Sequence, residues 1–138
     1  MRNILLNIKQ VDRLEAYHLH MGTVLPGYKI IIGAFQFWEN IPIIGTGQMQ
    51  ITDAYEAKQR IFTTTLQFLT PDLVASEGKY YCWRVTTIDD RHFLIGIDQP
   101  PYPVQTNSLN FPKEYTGKSG NTVTITLKSL NPALLLLD

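Results

Sequence analysis

The chain has 138 residues, a length that suits one domain able to bury a sizeable core without disulfides or structural metal. Twelve basic and twelve acidic residues give a formal charge of zero, which excludes the electrostatic footprint of a general nucleic-acid binder or of a protein drawn to an anionic membrane. The single cysteine, Cys82, excludes an internal disulfide and a cysteine metal site, fits a reducing compartment, and reads as a small buried hydrophobe.

The first residues carry no apolar run of signal-peptide length, and no stretch of about 18 consecutive apolar residues occurs anywhere, so a soluble protein of the cytoplasm is expected. From 4 to 11, Ile4, Leu6 and Ile8 alternate with Leu5, Asn7 and Lys9 as in a half-buried strand, which residues 14–20 continue or pair with. Residues 21–27 are turn-forming. Residues 28–37 are rich in isoleucine and phenylalanine and read as a buried strand with Gly33 as a bulge. Residues 41–44 and 48–51 flank Gly45-Thr46-Gly47, which suggests a hairpin whose first strand Pro42 places at an edge. Asp53 and Glu56 have capping-box spacing, and this predicts a short helix over 54–59. Period two returns over 61–69, with Thr63, Thr64 and Thr65 where a core strand would carry valine. Thr70-Pro71-Asp72, closed by Gly78, predicts a second short helix.

Residues 79–97 are the densest structural signal in the chain. Two runs of aromatic and β-branched residues flank Asp89-Asp90, as in an antiparallel hairpin. A two-residue loop or a four-residue turn equally sets Thr87 opposite His92, Val85 opposite Leu94 and Trp83 opposite Gly96. Tyr81, Trp83, Val85 and Leu94 then share one face, and Cys82, Phe93, Ile95 and Ile97 the other. A hairpin apolar on both faces belongs at the centre of a covered sheet.

Beyond it, Gln99-Pro100-Pro101-Tyr102-Pro103 is a stiff extended crossover. Residues 107–120 are polar and show no clear period. Residues 121–128 alternate cleanly, Val123, Ile125 and Leu127 inward and Thr122, Thr124, Thr126 and Lys128 outward. The chain closes on Pro132-Ala133 and Leu134, Leu135, Leu136 and Leu137. The expected architecture is mainly β, an antiparallel β-sandwich or small barrel with one or two short helices. It forms a single domain over 1–138, in which 131–138 is either a last strand or an arm that buries itself in a neighbour.

Chemistry-bearing patterns are sparse. His18 and His20 share a strand face and could offer two ligands to zinc, given a third such as His92 or Glu15; otherwise they are solvated edge histidines. Gly45-Thr46-Gly47 lacks the lysine and helix of a phosphate loop and reads as a turn. Asp89 and Asp90 sit at a hairpin tip, where adjacent carboxylates point apart into water. No Gly-x-Ser-x-Gly, His-Glu-x-x-His or Cys/His pair occurs. No catalytic residue, metal ligand or cofactor is assigned. The residues singled out for interaction are Pro100, Pro101, Tyr102 and Pro103, a rigid low-entropy surface, and Leu134 to Leu137.

Phe93-Leu-Ile-Gly96, Pro100-Pro-Tyr-Pro-Val104 and the alternating Val123-Thr-Ile-Thr-Leu127 before an apolar tail resemble small β-rich proteins of the structural clusters of tailed phages and prophages. The resemblance covers about the last 50 residues and carries over no functional residue. It implies a non-enzymatic part of a virion or related element, assembled by strand and arm exchange. The leading expectation is a structural or assembly protein that self-associates or joins other assembly proteins, located in the cytoplasm or the virion. The alternative is a small β-domain binding an apolar or sugar-like ligand among Trp83, Tyr81, Phe62 and Phe68. An enzyme with a metal at His18 and His20 comes third.

Overall fold

The computed structural model describes residues 3–16, 19, 23–31, 38–71, 74, 78–97, 101–110, 120–130 and 132–136. These form eleven strands: β1 (Asn3–Glu15), β2 (Thr23–Leu25), β3 (Lys29–Ile31), β4 (Glu39–Ile41), β5 (Gly47–Glu56), β6 (Gln59–Thr70), β7 (Tyr81–Thr87), β8 (His92–Ile95), β9 (Val104–Asn110), β10 (Gly120–Ser129) and β11 (Leu134–Leu136). The protein is mainly β, with no helix among the described residues. All strands join one sheet in the order β2-β3-β11-β8-β7-β1-β5-β6-β10-β9, with β4 added beside β1. Only β11 and β3 run parallel, so the sheet is mixed. Its ends do not pair, and it is open where a closed barrel or two-sheet sandwich was expected.

One long strand, β1, sits at the centre. Residues 3–8 pair with β5, residues 8–15 pair with β7 on the other side, and residues 11–13 pair with β4. The β7 register jumps from Ile8↔Thr87 to Gln10↔Thr86, a bulge that leaves Lys9 unpaired in the ladder. The extra residue inverts the alternation. Ile8 and Val11, three apart, both enter the same core, and Leu14 and Ala16 turn to the opposite face.

That inversion is one reason for two cores. The larger gathers Ile8, Val11, Met49, Leu66, Phe68, Trp83, Val85, Ile95, Val123 and Ile125, and the sheet curls about it. Tyr28 before β3 and Phe62 on β6, far apart in strand order, meet edge to face with centroids 5.4 Å apart. The smaller core lies on the other face, where Leu14, Ile30, Cys82, Leu94, Leu134 and Leu136 are covered by Leu19, Trp38, Ile97 and Tyr102. A sheet covered on both faces needs strands apolar on both faces, which is what the composition of β7 and β8 supplies.

Three local expectations are corrected. The β7–β8 loop has an odd length. Asp90 N donates to Thr87 O, Thr87 N donates to Arg91 O, and Asp90 takes φ +65° after a turn. This three-residue loop moves the register by one, to Thr86↔His92, Val85↔Phe93, Arg84↔Leu94 and Trp83↔Ile95. Trp83 therefore shares its face with Phe93 and Ile95 rather than with Leu94. Residues 41–44 and 48–51 are not a hairpin: β4 and β5 run the same way along β1, interrupted where Pro42 lacks an N–H and Gly45 takes φ +71°. Ile44 N leaves that line and donates to Leu69 O, 2.7 Å away. The helix expected over 54–59 is instead the hairpin of β5 and β6, turned by Ala57 and Lys58 at φ +48° and +65°. Asp53 there partners Arg60 rather than capping a helix, its Oδ2 accepting from Arg60 Nε at 2.6 Å. The helix expected after Thr70 falls largely outside the described residues; of the strand expected over 28–37, β3 holds residues 29–31 and residues 32–37 lie outside them.

Gly96 is not opposite Trp83, whose partner is Ile95. It holds φ +87°, and a Cβ built there would stand 2.7 Å from Cδ and Cγ of Pro103. Gly96→Ala should therefore cost about 2–4 kcal/mol, combining left-handed strain with overpacking. Chemical denaturation checks this, and Pro103→Ala in the same background should recover part of the loss.

Candidate functional site

A cleft lined by both apolar and charged side chains opens at one end of the larger core. It has a volume of about 300 Å³, at the small end of the range for small-molecule sites. Ile51, Thr52 and Asp53 of β5, Arg60 and Phe62 of β6, and Arg91 and Phe93 from the β7–β8 hairpin form two walls. Gly27, Tyr28, Ala133 and Leu135 form a third. Two arginines lie over the phenylalanines of this lining, Arg60 5.5 Å from the Phe62 centroid and Arg91 5.7 Å from that of Phe93. Asp53 is buried, and its hydrogen bond and charge raise the Arg60 pKa above the ordinary value. Tyr28 has φ +60°, a conformation costing a bulky residue on the order of 1–3 kcal/mol. Its carbonyl is pinned by Leu135 N at 2.9 Å.

The other unusual feature was hidden in the sequence. Asp12 and Arg13 are both buried in β1, on opposite faces. Asp12 accepts from Arg84 Nη2 at 3.0 Å, from Asn40 Nδ2 at 3.1 Å and from Gln10 Nε2 at 3.3 Å. Arg84 also lies 4.7 Å from the Trp38 ring centroid. Arg13 donates from Nε to Glu39 at 2.8 Å and covers the Tyr81 ring at 4.3 Å. The charge-dense run Val11-Asp-Arg-Leu-Glu15 gives no sign of burial, and only the neighbouring strands supply it.

The residues singled out for interaction are placed as follows. Pro100 and Leu137 lie outside the described residues. Pro101 is exposed, Pro103 is buried against Gly96, and Tyr102 stacks on Tyr80 with centroids 4.4 Å apart. Leu134 and Leu136 are buried in the smaller core, while half-buried Leu135 faces the cleft. The tail thus forms a strand in its own subunit, between β8 and β3. His18 and His20 lie outside the described residues; His92 Nδ1 bonds the Thr86 hydroxyl at 2.9 Å, and Glu15 pairs with Lys79 at 3.2 Å. Among the described residues no three potential ligands cluster as a metal site would require. Asp90 pairs with Lys9, and Asp89 with Arg91. The four aromatic residues proposed for one pocket separate: Phe62 lines the cleft, Tyr81 and Trp83 line a groove with Tyr80 and Tyr102, and Phe68 is buried against Trp83. Among the described residues no helix is long and apolar enough to cross a membrane.

The last feature is an edge. β9 pairs with β10 in unbroken register from Asn110↔Gly120 to Val104↔Thr126, and no strand among the described residues pairs its other side. Residues 104–110 contain no charge and no proline. Val104, Thr106, Asn107 and Ser108 are exposed. Gln105 and Asn107 tie the strand to the core side through Val74 O, at 2.7 and 3.1 Å.

Two outcomes follow from these geometries. Arg84→Met strands a carboxylate whose side chain is 4% accessible, whereas Asp12→Asn leaves a guanidinium 30% accessible and able to reach water. Arg84→Met should therefore cost more, about 3 kcal/mol against about 1–2 for Asp12→Asn, in urea titrations of both variants. At the hairpin tip, the Thr87 hydroxyl bond holds the Asp89 pKa below its ordinary value. A depressed folded-state pKa contributes stability above the ordinary carboxylate range that is lost as pH falls through the lower folded value. Thr87→Val should return Asp89 toward 3.8 in a carboxyl NMR titration and flatten that acid dependence. No protein-family model matches the chain, and neither a curated protein nor a solved structure is detectably similar to it.

Proposed function

We propose that the protein is a non-enzymatic structural or assembly component that acts by self-association, with β9 as the joining edge. The observation that carries this reading is the state of that strand. Soluble proteins blunt edges with lysine, proline, bulges or very short strands. β9 has seven residues in regular register and none of these devices among them, whereas the opposite edge, β2, has three residues. Its outer N–H and C=O groups, which no strand among the described residues pairs, are a template for another strand. Two copies meeting β9 to β9 around a two-fold axis satisfy both edges at once, and such an isologous contact closes as a dimer.

The side chains suit the same role. Thr106 and Ser108 are small, uncharged and exposed beside Val104, so a second strand meets no like-charge repulsion across the pair. The resemblance of the C-terminal part of the chain to phage structural-cluster proteins supports a virion or related particle as the setting, because such particles are built from repeated contacts between copies. Because Leu134 and Leu136 are buried within their own subunit, this reading rests on the edge rather than on an arm.

Sedimentation equilibrium of the full chain should show reversible dimers at high micromolar concentration. Thr106→Lys with Ser108→Lys should raise the dissociation constant roughly tenfold or more, by like-charge repulsion across the new pair, and leave the melting temperature unchanged. A wild type that stays monomeric throughout, or a double-lysine variant that associates equally well, overturns the reading.

A further inference from the structure

We propose that the cleft between the β5–β6 hairpin and the β7–β8 hairpin is a binding site for a small amphipathic anion, an apolar body carrying one carboxylate-like head. This goes beyond assembly and stands independently of it, since none of the cleft lining belongs to β9.

The lining sorts by chemistry. Phe62, Phe93 and Leu135 supply the apolar walls, with Ile4 at the mouth, 45% exposed. Against them stand two guanidiniums, Arg60 and Arg91, and one carboxylate, Asp53. Asp53 is already bonded to Arg60. The balance of the lining is therefore positive by one charge, and both cations are held over the aromatic rings that an apolar body would touch. Arg91 has an exposed carboxylate, Asp89, as its partner at 2.8 Å, a pairing that water screens and that an incoming anion can replace at small cost. A cationic ligand has no such opening, because the one carboxylate of the lining is buried and engaged.

The wall opposite is built with some strain. Tyr28 occupies a left-handed conformation that its bulk disfavours, and its carbonyl bond to Leu135 holds it there. Its ring meets Phe62 edge to face, so this wall touches the β6 wall. Strained backbone of this kind gathers at ligand clamps. The volume of about 300 Å³ admits a medium-chain or single-ring acid rather than a nucleotide or an oligosaccharide.

The test titrates the full chain with decanoate, decanol and decyltrimethylammonium, followed by amide NMR shifts at a protein concentration where the chain is monomeric. Decanoate should bind saturably, with the largest shifts at Tyr28, Phe62, Phe93 and Leu135. It should bind roughly tenfold more tightly than decanol, with the cation weakest, and the advantage should shrink as salt is raised. Arg91→Gln should remove most of the decanoate advantage and leave decanol unchanged. Ile4→Trp, at an exposed position on the mouth, should weaken decanoate and decanol alike without altering the melt. Shifts that do not saturate, or that map elsewhere, overturn the site. Equal binding of all three probes, or an Arg91→Gln variant that keeps the decanoate preference, overturns the anion class.

Discussion

The structure hangs on β1. Strands β7, β8, β11, β3 and β2 lie on one side of it and β4, β5, β6, β10 and β9 on the other, and every backbone ladder between the halves passes through this strand. Its register is therefore the register of the whole sheet. A slip of one residue would carry Val11 out of the larger core and Leu14 out of the smaller one. The polar ties on β1 oppose such a slip, because Asp12 reaches Arg84 on β7 and Asn40 on β4 at once. A buried ion pair of this kind adds little net stability over apolar packing, but it has one arrangement that satisfies it, and that arrangement fixes both neighbours.

The irregularities on either side of β1 fall at the same height. Lys9 bulges against β7 where residues 42–46 loop away from β1 on the opposite side. A strand freed from regular pairing on both edges can bend and twist there, and this lets the sheet curl about the larger core. The curl brings Tyr28 against Phe62 without bringing any two edges together. The cleft and the β9 edge thus share an origin: one lies where the curled walls stop short of each other, the other where the sheet of described strands ends.

What could be read from the sequence was what depends on side-chain alternation alone. The inward set Val123, Ile125 and Leu127 on β10, the two-faced apolar character of β7 and β8, and the burial of Cys82 are all present. What could not be read was parity. The one-residue bulge at Lys9 and the three-residue loop after Thr87 each shift a register by one without a glycine to mark them. Ala57 and Lys58 likewise turn a hairpin with φ above zero, in a place where Asp53 and Glu56 have the spacing of a helix cap. The cleft was half legible. Phe62 and Leu135 were singled out, but Arg60, Arg91 and Tyr28 come to them only through the curl of the sheet.

The C-terminal leucines show how far the cleft depends on distant sequence. Leu134 and Leu136 each bury an apolar side chain in the smaller core, a gain of roughly 1.5–3 kcal/mol apiece before ordering costs, and this seats β11 between β8 and β3. Alternation then points Leu135 to the other face, into the cleft, while its N–H takes the Tyr28 carbonyl. Without β11 the β2–β3 hairpin would lose the strand that links it to the rest of the sheet among the described residues. Tyr28 would then lose both its tether and the reason to hold a strained φ. A tail that reads in sequence as either a last strand or an arm for a neighbour is, in the folded chain, a strand that joins the hairpin to the sheet and completes the third wall of the cleft.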